Sequence, residues 1–218
     1  MKKNIFALDG EPVRGAIFDL DGVLVDTAKY HYLAWKRLAR ELGFDFTVAD
    51  NERLKGVSRM RSLEILLETG GLTMDEAEKA AAAQKKNEWY VEYLHGLDER
   101  ALLPGSRELL GILRDGGILR ALGSASKNAP FILERLGIAE LFDAVMDGNR
   151  VSRAKPDPEV FLKCAEALRL PPACCVVFED SLAGIEAAAA GGMRAIAVGR
   201  RELLPGADRY IASLEDML

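Results

Sequence analysis

The sequence predicts an α/β fold: a Rossmann-like, doubly wound parallel sheet with an α-helical cap domain inserted after its first strand. From residue 103 onward, short apolar strand patterns alternate with helical patterns, which is typical of a parallel sheet. Between residues 28 and 96 the apolar residues recur at helical spacing without a strand pattern. We therefore expect residues 1–27 and 97–218 to form the core and residues 28–96 to form the cap. A chain of 218 residues is long enough for both.

Each element follows from the spacing of its apolar residues. The first strand is predicted at 13–18, where an apolar run leads into a turn. The helices of the cap are predicted at 28–42, 59–69 and 74 to about 94. The later helices are predicted at 106–114, 130–136, 158–168 and 182–190, and the later strands at 119–123, 144–146, 174–178 and 194–198.

Charge and composition exclude several classes of partner. The formal net charge is −5, the pI is about 5.3, and no block of like charges is present, so we expect neither nucleic-acid binding nor attachment to a membrane surface. The N-terminal apolar run stops at Asp9, which is too short for a signal peptide. Cys164, Cys174 and Cys175 form no CxxC pair, so they are expected to be buried thiols of a soluble, cytoplasmic protein.

Two carboxylates, Asp19 and Asp21, stand one residue apart where the first strand ends, followed by Gly22. Because the chain turns there, both carboxylates can converge on one small volume. One can attack a phosphate and form an acyl phosphate, while the other exchanges protons with the leaving and attacking oxygens. A divalent cation must offset the repulsion between carboxylates and phosphate, and Mg²⁺ suits such oxygen ligands. The alternative is a solvated turn capped by Asp.

Three further loops at predicted strand ends carry reactive or charged side chains. Ser126, with nearby backbone amides, could hold phosphate oxygens, and Lys155 is held before Pro156, where it could offset phosphate charge. Glu179 and Asp180 follow an apolar strand and are candidate metal ligands. Taken singly, each has another interpretation: Ser126 could belong to a capped loop, Lys155 could be a solvated lysine, and Glu179 and Asp180 could cap the next helix. Ligands of doubly wound sheets bind at the carboxyl ends of the strands, so their joint occurrence favours one site.

These motifs resemble those of the haloacid dehalogenase superfamily. The matching residues are Asp19-Leu20-Asp21-Gly22, Ser126, Lys155 and Glu179-Asp180, and the resemblance covers nearly all of the chain from residue 13 to the C-terminus, with segment 43–53 as a departure. Segments 27–36, 54–59, 124–128 and 178–185 further resemble the sugar-phosphate mutases of that superfamily. The resemblance implies that Asp19 becomes a phosphoaspartate and that Asp21 is the general acid and base. It implies that Mg²⁺ is held by Asp19, the backbone carbonyl of Asp21, Glu179 and Asp180.

The implied reaction interconverts β-D-glucose 1-phosphate and D-glucose 6-phosphate through β-D-glucose 1,6-bisphosphate, which turns around between the two half-reactions. The expected catalytic residues are Asp19, Asp21, Thr27, His31, Ser126 and Lys155. The expected substrate-binding residues are Trp35, Lys55, Gly56, Val57, Ser58, Arg59, Ser62, Lys86, Ser124, Ala125, Ser126, Lys127, Asn128 and Lys155. Thr27 would act as a hinge residue that affects the placement of Asp21.

The chemistry of the cap residues suits the binding of a sugar phosphate. His31 and Trp35 are four residues apart on a predicted helix and so share one face, which could meet a sugar. Arg59 can bind a non-transferring phosphate through two parallel hydrogen bonds. Each residue also has an alternative interpretation. His31 could be a helix histidine with satisfied hydrogen bonds, Trp35 could fill the core, and the segment around Arg59 could be a charged loop. Lys85 could also serve in place of Lys86.

Three other functions remain open. The main alternative is a Mg²⁺-dependent phosphosugar or phosphoglycolate phosphatase on the same scaffold, which would release phosphate without isomerisation. A phosphonate hydrolase would need a cap lysine that forms an imine, and nothing assigns that role to Lys36 or Lys55. A non-enzymatic binding module is disfavoured because every expected catalytic position is filled. We expect a monomer, because a cap that opens and closes favours a free face.

Overall fold

The computed structural model describes residues 13–54 and 57–218, and there it contains a six-stranded, fully parallel sheet. The strands are β1 (Gly15–Phe18), β2 (Leu119–Gly123), β3 (Ala144–Met146), β4 (Cys175–Glu179), β5 (Arg194–Val198) and β6 (Arg209–Ile211). Their order in the sheet is β3-β2-β1-β4-β5-β6, so β1 is central and buried along its whole length. This architecture confirms the predicted α/β fold.

Eight α-helices accompany the sheet in the described part of the chain. They are α1 (Ala28–Glu41), α2 (Val48–Glu52), α3 (Arg59–Gly70), α4 (Glu76–Leu94), α5 (Ser106–Asp115), α6 (Ala129–Arg135), α7 (Glu159–Leu168) and α8 (Leu182–Ala190). The first four follow β1 without an intervening strand and form a helical insert, in which α1 packs against both α4 and α3. The other helices alternate with strands, as the periodicity of the sequence predicts.

The alternation of side chains along β1 explains why helices cover both faces of the sheet. Ile17 packs into one buried cluster with α7 and α8, whereas Phe18 packs into a second cluster with α5, α6 and the insert. Successive residues of a strand point to opposite faces, so neighbouring apolar residues require a helical layer on each side. On the second face the ring of Phe18 stacks on that of Phe178, with centroids 4.6 Å apart.

The insert leaves and rejoins the core at one place. The backbone amide of Leu103 donates to the carbonyl of Leu24 at 2.9 Å, and Val25 pairs with Leu102 in an isolated antiparallel bridge. The outgoing and returning linkers are therefore hydrogen-bonded to each other beyond the carboxyl end of β1. The exact division into a core of residues 1–27 and 97–218 and a cap of residues 28–96 stays a prediction.

Several predicted bounds are wrong by one or two residues. The first strand begins at Gly15 instead of residue 13, and β4 begins and ends one residue later than predicted, at Cys175 and Glu179. The helix predicted from residue 74 begins at Glu76. The Asp75 side chain accepts a hydrogen bond from the backbone amide of Glu78 at 2.8 Å and so caps the start of the helix. The helix predicted at 130–136 begins and ends one residue earlier, and α7 begins at Glu159.

Two short elements, α2 and β6, were not predicted from the sequence. Five and three residues respectively span too little chain to show a helical or alternating pattern. The three cysteines are free thiols, but Cys174 is partly exposed, because it ends a turn of 3₁₀-helix before β4. Within the described residues, no helix combines the length and the apolar character needed to cross a membrane.

Candidate active site

A buried lysine joins the acids at the ends of the two central strands. Asp19 follows β1 and Glu179 ends β4; the Nζ atom of Lys155 lies 2.5 Å from Asp19 Oδ1 and 2.8 Å from Glu179 Oε2. Burial lowers the pKa of Lys155, but the charges of Asp19 and Glu179 outweigh that effect and raise it. Lys155 is therefore a permanent cation in the floor of the site. Burial raises the pKa of Asp19 to about 6, against the opposing charge of Lys155.

Asp19, Glu179 and Asp180 form a cluster that could hold a metal ion, since one oxygen of each lies within 4.8 Å of the others. Glu179 is oriented by Ser181, whose hydroxyl donates to Glu179 Oε1 at 2.6 Å. A Cβ atom on Gly22, where φ is +82°, would lie 2.0 Å from Asp180 Oδ2, so only glycine permits this approach. Clustered carboxylate oxygens are typical ligands of a hard divalent cation.

Asp21 is placed differently from Asp19. It is half-buried and accepts a hydrogen bond from the hydroxyl of Thr27, the residue that precedes α1. Burial and the neighbouring charge of Asp19 raise the pKa of Asp21 to about 8. A carboxyl group with that pKa carries a proton at neutral pH and can donate it, which is what a general acid requires.

The insert contributes a lysine surrounded by aromatic rings. Lys86 of α4 has its Nζ atom 2.9 Å from Nδ1 of His31, and 4.5 and 4.7 Å from the ring centroids of Trp35 and Tyr90. His31 stacks on Tyr90 with centroids 4.0 Å apart. Burial and the charges of Lys86 and Arg59 hold the pKa of His31 well below its usual value, so the imidazole is neutral. Burial and the charge of Arg59 also lower the pKa of Lys86 to about 7.

Because this lysine costs stability, we expect Lys86→Met to stabilise the protein at pH 7. The unfolded state binds a proton more tightly than the folded state between the pKa of about 7 and the ordinary value of 10.5. The linked gain in unfolding free energy should be about 4 kcal/mol at pH 7 and should fall towards zero as the pH rises past 10.5. Urea denaturation across this pH range measures it. Lys85→Met is the control, because Lys85 is exposed and paired with Glu41, and a gain that does not change with pH contradicts the prediction.

The side chain of Asn87, on α4, links the insert to the core. Its Oδ1 atom accepts a hydrogen bond from Nη2 of Arg59 at 2.8 Å and another from Nδ2 of Asn128 at 2.9 Å. Asn128 ends the loop after β2. Two hydrogen bonds stabilise this loop: the hydroxyl of Ser124 accepts one from the backbone amide of Ser126, and the hydroxyl of Ser126 accepts one from the backbone amide of Asn128. Two donors from different parts of the fold thus meet at one acceptor.

These groups line one cavity of about 550 Å³, a volume typical of sites for small molecules. The predicted residues that line it are Asp19, Asp21, His31, Trp35, Val57, Ser58, Arg59, Ser62, Lys86, Ser124, Ala125, Ser126, Lys127, Asn128, Glu179 and Asp180. Thr27 and Lys155 lie behind the wall, in contact with Asp21 and Asp19. Lys55 and Gly56 lie outside the described residues.

The sequence analysis missed several residues of the site, among them Asn51, Asn87 and Tyr90. Asn51 and Asn87 line the cavity, and the ring of Tyr90 forms part of the surroundings of Lys86. Tyr90 follows Lys86 by four residues, so helical spacing could have identified it. Asn51 lies on α2, which was itself not predicted. Of the two candidate lysines, Lys86 lines the cavity, whereas the side chain of Lys85 is paired with Glu41.

Comparison with known proteins agrees with this fold and site. Residues 13–192 match the family model described as haloacid dehalogenase-like hydrolase. The chain is 42% identical over 207 residues to a β-phosphoglucomutase of Bacillus subtilis. The alignment covers 94% of this chain and 92% of that protein. It is 33% identical over 192 residues to a fructose-1-phosphate phosphatase of Escherichia coli, covering 86% of this chain and 97% of that protein.

A similar structure is also known. The crystal structure of a β-phosphoglucomutase from Clostridium difficile superposes with a TM-score of 0.92 at 40% sequence identity, covering 94% of this chain and 93% of that one. Both β-phosphoglucomutases share more of the sequence than the phosphatase does. The chain belongs to the haloacid dehalogenase-like hydrolase family.

Proposed function

We propose that this protein is a Mg²⁺-dependent β-phosphoglucomutase, which interconverts β-D-glucose 1-phosphate and D-glucose 6-phosphate through β-D-glucose 1,6-bisphosphate. One observation carries the proposal: the cavity lined by Asp19 is also lined by Arg59, which could hold a second anion. Arg59 is partly buried, and within the described residues its hydrogen bond to Asn87 is to a neutral group and no carboxylate pairs with it. A partly desolvated guanidinium of this kind is suited to bind phosphate.

Two anion positions in one cavity suit a sugar bisphosphate. One phosphoryl group would lie against Asp19 and Lys155, and the other would lie against Arg59, Lys127 and Asn128. The sugar would lie between them, against Trp35 and the His31–Lys86 pair. Since either phosphate of the bisphosphate can occupy either position, the same groups serve both half-reactions.

Each half-reaction moves one phosphoryl group between Asp19 and a sugar oxygen. In one half-reaction the sugar hydroxyl attacks phosphorus of the Asp19 acyl phosphate, the P–O bond to Asp19 breaks, and Asp21 takes the hydroxyl proton. In the other, Asp19 attacks the phosphate at the opposite end of the bisphosphate, and Asp21 returns the proton to the leaving sugar oxygen. Lys155 offsets charge on the transferring group throughout.

Mg²⁺ would be held by Asp19, Glu179, Asp180 and the backbone carbonyl of Asp21, and it would neutralise charge as carboxylate and phosphate approach. The donors fit, because three carboxylates meet within one small volume. Thr27 would hold Asp21 through its hydroxyl. Water must be kept from the acyl phosphate, and the insert, which covers the carboxyl ends of the strands, would provide this exclusion.

The direct test uses purified protein, Mg²⁺, β-D-glucose 1-phosphate and a trace of the bisphosphate, with glucose 6-phosphate and free phosphate measured in the same tube. We expect glucose 6-phosphate well in excess of phosphate, and no conversion after the metal is removed with a chelator. Release of phosphate with little glucose 6-phosphate would instead support the phosphosugar phosphatase. Fructose 1-phosphate and phosphoglycolate should then be tested as substrates, because the phosphatase alternative predicts their hydrolysis.

We further propose that the protein acts as a monomer in the cytoplasm. Movement of the insert against the core needs a free face around the cavity. The three unpaired thiols are compatible with a reducing compartment. Size-exclusion chromatography with light scattering, with and without substrate, tests the oligomeric state.

A further inference from the structure

The side chain of Asn87 is the point where the insert and the core meet above the cavity. Its oxygen accepts from Arg59, the first residue of α3 in the insert, and from Asn128, which precedes α6 in the core. A guanidinium can only donate, so the amide oxygen, not the nitrogen, must face Arg59. Both lone pairs of that oxygen are then used.

We infer that Asn87 is a positioning residue that joins Arg59 to Asn128 across the boundary of insert and core and thereby assembles the site for the non-transferring phosphate. The inference rests on the proposed function, because only a substrate with a second phosphate needs such a site. Arg59 and Asn128 each donate one hydrogen bond to Asn87 and keep further N–H groups for a ligand. A shared acceptor holds those groups close together before the ligand arrives.

The geometry favours positioning over direct attraction. Asn87 is neutral and so does not reduce the charge of Arg59, whereas a carboxylate in its place would neutralise that charge and repel a phosphate. An amide therefore supplies the acceptor at the lowest cost to anion binding. Nothing in the chemistry at Asp19 requires Asn87, since the phosphoryl group is transferred at the other end of the substrate.

The test compares Asn87→Leu, which removes the acceptor, with Asn87→Asp, which keeps an acceptor of the same shape and adds a negative charge. We expect Asn87→Leu to raise KM for β-D-glucose 1,6-bisphosphate about tenfold, and Asn87→Asp to raise it at least as much. Phosphorylation of Asp19 by acetyl phosphate, which has no second phosphate, should stay within about twofold of the wild-type rate in both variants. Glu88→Leu, at the exposed neighbouring position, is the control.

Three results would overturn this inference. An unchanged KM for the bisphosphate in both variants would show that Asn87 does not organise the site. A parallel fall in acetyl phosphate reactivity would show a general structural role. An Asn87→Asp variant with wild-type KM would show that no phosphate binds at Arg59 beside Asn87. Failure of the wild-type protein to convert β-D-glucose 1-phosphate would refute the proposed function itself, so the two failures are distinguishable.

Discussion

Asp19→Asn should abolish turnover, with a loss of about 10⁴-fold or more, because the amide cannot form the acyl phosphate. Asp19 is buried beside Lys155, so no exposed carboxylate can replace it at that position. The variant should also fail to gain a phosphoryl group when it is incubated with acetyl phosphate or the bisphosphate. Intact-protein mass spectrometry measures this gain directly, without relying on turnover.

The control for this substitution is Asp115→Asn. Asp115 lies at the exposed end of α5 and is paired with its neighbour Arg114, so the same change of chemistry there should leave turnover and phosphorylation at wild-type levels. An Asp19→Asn variant that is still phosphorylated would show that another residue is the nucleophile. Asp21 would then be the first candidate, as the other carboxylate of the pair.

Lys155→Met should have the largest effect on stability. It removes the cation that Asp19 and Glu179 share and leaves two buried carboxylates next to each other. Loss of one partner of a buried ion pair costs about 3–5 kcal/mol, and the lost charge compensation should lower turnover by about 10³-fold. Chemical denaturation at neutral pH measures the first effect, and the mutase assay measures the second.

The effect of Mg²⁺ on the stability of Lys155→Met distinguishes repulsion between the buried carboxylates from a simple loss of packing. Without Lys155 the cluster of Asp19, Glu179 and Asp180 carries more uncompensated charge, so Mg²⁺ should raise the denaturation midpoint more in the variant than in the wild type. Lys79→Met is the control, because Lys79 forms a surface pair with Glu76 at 2.8 Å, and its loss should leave the denaturation midpoint and its dependence on Mg²⁺ nearly unchanged. Equal destabilisation by both substitutions would contradict the prediction.

The sequence predicted the order of the long elements and the loops that carry the polar side chains. These features are readable because they depend on local spacing: an apolar run ends at Asp19, and a second one ends at Glu179. The first and last residues of an element are predicted less accurately where a capping side chain decides them. Asp75 is one such case, since its side chain, not the apolar pattern, sets the start of α4.

Short elements and contacts distant in sequence could not be predicted in this way. The strand β6 has three residues and exists because β5 pairs with it. Asp19 and Lys155 are 136 residues apart, and Asn87 and Asn128 are 41 apart, so their hydrogen bonds follow from the packing of separate elements. The choice between Lys85 and Lys86 is of the same kind, because neighbouring residues of a helix differ only in the direction they face.

By itself, therefore, the sequence determined the α/β fold class, the family resemblance and the four loops in which the reactive side chains stand. The tertiary structure alone decided which of those side chains touch, and with that their protonation. The raised pKa of Asp21 and the lowered pKa of Lys86 arise from burial and from charges that lie far away in the chain. Electrostatic energies depend on distance and solvent access in the folded protein, and a local pattern in the chain specifies neither.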